Sequence, residues 1–393
     1  MTLGWISVAI QRGFPRGRII PSDDVIERHG FLKKLEDHLY YGDSIMLASP
    51  RRTGKSSVAF EVMRRLSARG CYTLDMDLLH IVNIERFALQ ALEKVTQLRT
   101  GKLESMSRSL HDFLRWIAKP DLSIKMQDVE FGLRFHGDPK EMDPWDVLQE
   151  AFEMAERIAV KDDRRLVFLL DEFQEIDQLG GERLLRLLRS VFQRQENTTY
   201  LFSGSEPSMM KTIFADHRQA FYRFAAIWSL PEITPDEWQA YIAKKFTQFG
   251  MSVEDRAIEL LIRATGGHPY CMMTALSIAF VDAKDSAMAL TRPIAEESLH
   301  QAFDQLDAVY ENLWRRVSEI SLGEEVLAAL VEGNPPYRGN NPTAVQRAID
   351  ALIKTSIIIR ASRGQYRFVE PMFQRWIKYK IGRQLDLLDE FWI

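Results

Sequence analysis

The segment Ser49-Pro50-Arg51-Arg52-Thr53-Gly54-Lys55-Ser56-Ser57 leaves this chain few folds to choose from. It has the spacing Gly-x4-Gly-Lys-Ser/Thr, with Ser49 where the first glycine belongs. In a loop of this kind the backbone N–H groups, at the start of a helix, wrap a phosphate that the helix dipole also favours. Lys55 then reaches the β/γ-phosphate oxygens and the Ser56 hydroxyl ligates Mg²⁺. The mechanism needs a buried strand before the loop and a helix after it. Ser44–Ser49 reads as the strand, and Ser56–Ala68 as a helix with Val58, Val62 and Leu66 on one face. Glycine takes the first loop position at lower cost than serine, so Ser49 bears on loop geometry more than on binding. A chance Gly-Lys-Ser in a basic loop would lack this strand-loop-helix setting. Ser49–Ser57 is therefore the expected nucleotide-binding loop, with ATP and Mg²⁺ as its cofactors.

A second signal lies downstream. Leu166–Leu170 is an uninterrupted apolar run ending in Asp171-Glu172-Phe173-Gln174. Such a strand must be covered on both faces, which favours a parallel sheet between helices. Ligands of open α/β sheets sit at the carboxyl ends of the strands. There Asp171 is expected to lie beside the metal and Glu172 to polarise an attacking water as general base. Weaker candidates follow. The strand Thr199–Ser203 ends in Ser203-Gly204-Ser205, which sets Ser203 as a polar side chain near the γ-phosphate. Arg218 and Arg223 precede a fifth strand, Ala225–Leu230, and either suits a trans arginine finger, Arg223 better than Arg218. Gly266-Gly267-His268-Pro269 opens a helix, with Pro269 where a missing N–H is tolerated and His268 facing the phosphates.

With Tyr72–Asp77, these strands make five, separated by helices, and a three-layer α/β domain with a parallel sheet is expected. An amphipathic helix is read from Asp23 through Leu39, two helices from Ile84 to Ile117, an inserted β-hairpin over 119–137, and helices over Trp145–Val160 and Arg183–Gln195. From Pro235 the strands stop and helices dominate to about Leu330. Helix Ala344–Lys354, strand Ile357–Ile359, strand Gln365–Val369 and helix Pro371–Tyr379 then have the order of a winged helix-turn-helix. From Asn334 onward the chain has ten Lys/Arg against five Asp/Glu. The division expected is a core over 1–232 with an insertion at about 84–140, a helical lid over 233–319, and a winged helix with tail over 320–393.

Composition narrows the class. At 393 residues, 46% apolar and 27% charged, the chain is globular and of two or three domains. Its net charge of −4 excludes a basic nucleic-acid coat over the whole chain, though not a basic face. Cys71 and Cys271 fit neither a disulfide framework nor a metal spacing, so a reducing cytoplasm is expected. No apolar run reaches the roughly 18 residues of a membrane span, and no membrane partner is expected. Leu3–Ile10 is a poor signal peptide and reads as a packed or partner-docking segment. Met209-Met210 and Met272-Met273 read as core filler. Leu387-Leu388 and Phe391-Trp392-Ile393 suit either packing or an interface.

Taken in order, these motifs resemble the archaeal-type P-loop ATPases of the signal-transducing (STAND) branch of the AAA+ group, which also resemble the origin-recognition ATPases. The resemblance rests on Ser49–Ser56, Leu166–Gln174, Ser203-Gly204-Ser205, Phe221-Tyr222-Arg223 and Gly267-His268-Pro269, and spans Ser22 to Tyr379. It implies a sheet in the order 5-1-4-3-2, a helical lid, and a winged helix that closes over the nucleotide. It implies that Ser49–Ser57, His268 and Pro269 bind ATP or ADP, that Arg18-Ile19-Ile20 and Ile26-Glu27-Arg28 border the adenine, and that Ser56 and Asp171 hold Mg²⁺. Lys55, Glu172, Ser203 and Arg223 would carry catalysis. It further implies a switch that assembles with itself or a partner protein when ATP is bound, in settings such as defence or mobile-element biology. A separate partner would supply input or output, because the chain ends soon after the winged helix. Two other readings stay open. One is an ATP-dependent DNA loader or regulator using the basic tail, with Arg360, Arg363 and Arg367 on the wing. The other is a nucleotide-binding scaffold without turnover, against which the intact Lys55, Asp171 and Glu172 argue.

Overall fold

The computed structural model describes residues 13–100, 143–286, 288–337, 341–362 and 364–382. The chain divides into two compact units, one of residues 29–51 and 55–230, the other of residues 1–28, 52–54 and 231–393. The expectations for residues 101–142, for Leu3–Ile10, for Arg363 and for the terminal apolar residues lie outside the described residues.

The first unit runs α1 (Phe31–Tyr41), β1 (Ile45–Ala48), α2 (Lys55–Ala68), β2 (Tyr72–Asp77), α3 (Ile84–Thr100), α4 (Pro144–Lys161), β3 (Leu166–Asp171), α5 (Ile176–Leu179), α6 (Gly181–Phe192), β4 (Thr198–Gly204), α7 (Pro207–Ala215) and β5 (Ala226–Trp228). The five strands form one sheet in the order β2-β3-β4-β1-β5, every pair parallel, the 5-1-4-3-2 order that the resemblance implies. Every residue of β1, β3 and β4 is buried, which is why β3 reads as a continuous apolar run. The register sets Ala48 beside Gly204 and Leu170 beside Phe202, so the chain leaves β1, β3 and β4 on one edge of the sheet. Tyr200 and Phe202 of β4 pack with Phe192, Phe214, Phe221 and Phe224. Phe173 joins them, 4.7 Å from Phe202, and anchors the turn after β3.

One expected helix is shorter than its apolar pattern. Asp23-Asp24 belong to a single 3₁₀ turn, Ser22–Asp24, and α1 starts only at Phe31. The cause is local: Arg28, His29 and Gly30 are all left-handed, at φ 54°, 53° and 74°, and no right-handed helix passes through them. The apolar residues before the break pack elsewhere. Ile26 lies against the core of the second unit, and the buried Asp24 carboxylate accepts from Lys245 Nζ at 2.6 Å and Tyr241 OH at 3.0 Å.

The second unit contains α8 (Pro235–Gln248), β6 (Ser252–Val253), α9 (Asp255–Thr265), α10 (Pro269–Asp285), β7 (Ala289–Leu290), α11 (Arg292–Ser318), α12 (Gly323–Val331), α13 (Pro342–Lys354), β8 (Ile358–Ser362), β9 (Gln365–Phe368) and α14 (Pro371–Gly382). Thr234 and Glu237 close a capping box at the start of α8. Strands do not stop at Pro235, as the sequence reading expects: β6 and β7 form a two-residue parallel pair. That pairing joins loops that no sequence periodicity reveals. β8 and β9 are the antiparallel hairpin expected between α13 and α14. One apolar core runs from Phe14 through α8–α11 to Phe373, Trp376 and Ile377 of α14, with Met272 and Met273 buried in it and Met210 buried in the other unit.

Gly266 shows how tightly α14 is seated. It ends α9 at φ +59°, and a Cβ there would lie 2.6 and 2.9 Å from Cγ and Cβ of Pro371. The ring of Pro371 cannot rotate away. Gly266→Ala therefore combines left-handed strain with overpacking and is expected to destabilise the protein by about 2–4 kcal/mol, read as a lowered urea midpoint. A midpoint equal to wild type would show that α14 yields freely.

Candidate functional site

The carboxyl ends of β1, β3 and β4 bring three of the sequence motifs together in the first unit. Lys55, in the first turn of α2, is buried, with Nζ 3.9 Å from Asp171 Oδ1 and 3.7 Å from Glu172 Oε1. Ser49 is buried, and its Oγ accepts from the backbone N–H of Leu230 at 3.0 Å. It is not among the positive-φ residues. The first position of this loop thus does not need glycine's conformational freedom, and the serine side chain gains a bond that ties the loop to the chain beyond β5. Ser56 is half-buried and Ser57 buried on α2.

Glu172 is left-handed at φ 50°, a conformation held by its surroundings. Its N–H donates to Asp171 Oδ1 at 3.0 Å. Its Oε2 accepts from Gln174 Nε2 at 2.6 Å, from Ser205 Oγ at 2.7 Å and from Ser205 N at 3.2 Å. Burial pushes the Glu172 carboxyl up, but the Lys55 charge and the bonds from Ser205 and Gln174 outweigh it and hold the group below its usual range. Ser205 Oγ accepts in turn from Arg51 Nε at 3.2 Å. Gln174 and Ser205 lie in motifs that the sequence displays, yet their contact with Glu172 depends on a turn no spacing announces.

The remaining candidates are placed differently. Ser203 is fully buried in β4, and its hydroxyl has no hydrogen-bond partner; among the described residues it is Ser205, not Ser203, that bonds to Glu172. Arg218 is engaged by Asp216 through Nε at 3.1 Å and Nη2 at 2.7 Å. Arg223 is exposed and left-handed at φ 55°, lies over the Tyr222 ring at 5.0 Å, and has no carboxylate partner among the described residues.

In the second unit, Arg52 is left-handed at φ 66° and Gly54 at φ +90°. The Arg52 guanidinium lies 4.6 Å over the Tyr270 ring and 3.4 Å from Glu370 Oε1. Arg28 donates to the carbonyls of Thr53 and Pro231, each at 2.6 Å, and burial pushes its guanidinium down to about 10. Its tip lies 2.9 Å from where a Cβ on Gly54 would be, so only glycine lets the loop close on Arg28. His268 caps α10, directly before Pro269. It is buried with neither ring nitrogen bonded, and burial, then the charges of Arg52 and Arg28, push it down to about 4, so it is neutral at pH 7. Of the residues expected at the adenine, Arg28 is buried, Ile26 packs against the core, and Arg18 and Ile19 are exposed. The left-handed run Arg28-His29-Gly30 is the signal that sequence reading passes over.

Among the described residues no three His, Cys, Asp or Glu side chains cluster as a metal cage. The residues expected to hold the metal, the Ser56 hydroxyl and the Asp171 carboxylate, would make a hard, oxygen-only and incomplete set. That suits Mg²⁺, which keeps several waters and takes its other ligands from phosphates. No helix among the described residues is long and apolar enough to cross a membrane.

No protein-family model and no curated protein sequence matches the chain. Solved structures do. A Walker-type ATPase of Pyrococcus abyssi superposes with a TM-score of 0.64 at 17% identity, over 93% of this chain and 98% of that one. The ORC2 protein of Aeropyrum pernix, in ADPNP–ADP complexes, superposes with a TM-score of 0.57 at 13% identity, over 94% and 98%. With the five-stranded parallel sheet in its observed order, these likenesses give the chain the α/β P-loop ATPase fold that those two proteins share.

Proposed function

We propose that this protein is an Mg²⁺-dependent ATPase that works as a nucleotide-controlled switch of the signal-transducing type, assembling with itself or with a partner protein. The observation that carries the reading is the buried Lys55 ammonium set between the Asp171 and Glu172 carboxylates at the sheet's carboxyl edge. In this reading residues 49–57 hold ATP or ADP. Lys55 binds the β/γ-phosphate oxygens, while Ser56 and Asp171 hold Mg²⁺, which when bound neutralises charge developing on the transferring phosphoryl group. Glu172 takes the proton of the attacking water. The domain division that goes with this function is a core to residue 232, a lid over 233–319 and a winged helix from 320. Defence or mobile-element systems are settings such a switch suits.

Arg223 is the trans arginine finger in this reading, because Arg218 already spends its guanidinium on Asp216. Phosphate release and mass photometry with ATP·Mg²⁺ test this together. Wild type is expected to release phosphate with Mg²⁺ and not with EDTA, and to assemble with ATP. Arg223→Ala is expected to keep nucleotide binding and lose about 100-fold or more in assembly-stimulated turnover, whereas Arg218→Ala stays near wild type. Equal effects would remove Arg223 from the site.

A DNA loader is the second reading, favoured by the net positive charge from Asn334 onward. Much of that charge is engaged within the protein: Arg367 pairs with Glu232, Lys380 with Glu311, and Arg375 donates to the Arg263 carbonyl. On α13, Gln346 is held between Asp350 and Tyr337, leaving Arg347 and Lys354 exposed beside Asp350. Assembly that requires duplex DNA would move this reading ahead.

A further inference from the structure

Glu172 does not stand alone at its strand end. Ser205 donates to the same carboxylate oxygen twice, through Oγ at 2.7 Å and N at 3.2 Å, and Gln174 adds a third donor at 2.6 Å. The direction of the chain through the Ser205 hydroxyl is fixed by its neighbours. Arg51 Nε can only donate and the ionised Glu172 can only accept, so the hydroxyl accepts from Arg51 and gives its one proton to Glu172. Such a chain polarises each of its bonds. Gly204 makes the approach possible: a Cβ there would lie 2.5 Å from Met210 Sδ and 2.8 Å from Gln174 Oε1, and an added side chain would press on the Gln174 amide that bonds Glu172. Arg51 is exposed, and beyond the bond from Nε its guanidinium has no hydrogen-bond partner among the described residues. Its terminal amino groups are donors left over, on the loop that carries Lys55.

We propose that Ser205 is the positioning residue for the Glu172 carboxylate, and that Arg51 couples it to the anion held by the phosphate loop. The inference rests on the ATPase reading above. The relay distinguishes the two carboxylate oxygens: Oε2 is the anchored one, and Oε1 is turned toward Lys55. The other charged groups facing Glu172 are Asp171, next to it on β3, and Glu175, which shares the Gln174 amide at 3.4 Å. Neither donates a hydrogen bond to Glu172, so the orientation falls to Ser205 and Gln174. An anionic oxygen bound by the Arg51 amino groups fixes the Nε–H that the Ser205 hydroxyl receives. The state of the loop is thereby felt at the base without a contact between the base and the phosphate.

The test measures kcat for phosphate release and the affinity for mant-ATP in Ser205→Ala, Ser205→Thr, Arg51→Gln and the Ser205→Ala/Arg51→Gln double variant. Losing one bond to a charged group is expected to lower kcat about tenfold or more in Ser205→Ala, with mant-ATP affinity within about twofold of wild type. Ser205→Thr, which keeps the hydroxyl, is expected to restore most of that loss. In the double variant Ser205→Ala should add little to the kcat loss of Arg51→Gln, because both cut the same relay. Wild-type kcat in Ser205→Ala, no rescue by threonine, or losses that multiply in full would overturn the relay. Urea midpoints of Ser205→Ala, Glu172→Ala and their double variant read the Ser205–Glu172 coupling without turnover, and strictly additive midpoint shifts would overturn it too. A wild-type protein that binds mant-ATP and releases no phosphate would instead overturn the ATPase reading.

Discussion

Lys55→Ala is expected to abolish nucleotide binding, raising the mant-ATP dissociation constant by about 100-fold or more. Two effects act in the same direction. The variant loses the one buried ammonium in the loop, and it leaves the Glu172 carboxylate facing the phosphates with no ammonium between them. That carboxylate then repels what the loop should attract. The same loss acts on the fold, since removing one partner of a buried ion pair costs about 3–5 kcal/mol. Lys55→Ala alone therefore mixes lost binding with lost stability. Lys55→Met loses the same charge but keeps most of the buried aliphatic stem, so the difference between the two variants is the packing share of the stability loss. Isothermal titration on both variants, with thermal melts to establish folding, decides the matter. A folded Lys55→Met protein that binds ATP as wild type does would place the nucleotide away from residues 49–57.

Much of this fold is legible in the sequence, because the features that specify it are local. β3 reads as a buried parallel strand since all six of its residues are buried, and the phosphate-loop spacing carries its own strand-loop-helix geometry. What is not legible depends on pairs far apart in the chain. The helix read through Asp23–Leu39 breaks at Arg28, whose guanidinium is needed at the carbonyls of Thr53 and Pro231. No pattern within residues 23–39 contains that demand. The β6–β7 pair joins Ser252 to Ala289, with two residues a side and no periodicity to detect. At the candidate site, type and spacing single out Lys55, Asp171 and Glu172, which the structure brings together. They do not choose between Ser203 and Ser205, since both end the same strand. In the structure the left-handed turn at Glu172 brings its carboxylate to the N–H and hydroxyl of Ser205. The sequence reading ranks Arg223 above Arg218 without seeing that Arg218 pairs with Asp216.

Glu172→Gln separates the two halves of the proposed cycle: turnover is expected to fall by about 100- to 10,000-fold, the range a general base supplies, while ATP binding is kept. The geometry explains why binding survives. Glutamine has the shape of the glutamate, and its amide oxygen accepts from Ser205 N and Oγ as Oε2 does now. The left-handed backbone is no more costly for it. One charge is gone, and its position sets the sign of the effect on affinity. Glu172 Oε1 lies 3.7 Å from Lys55 Nζ and competes with phosphate oxygens for that ammonium. Removing the competitor leaves ATP affinity equal to wild type or higher. The amide cannot hold a proton drawn from water, so the bound ATP persists. Single-turnover phosphate release and mant-ATP titration, run on the same preparation, read both halves. Slow release with equal or tighter binding is the expected pair. Unaltered release would show that the attacking water is activated elsewhere, and weakened binding in step with lost release would show that Glu172 supports the nucleotide site and not the chemistry.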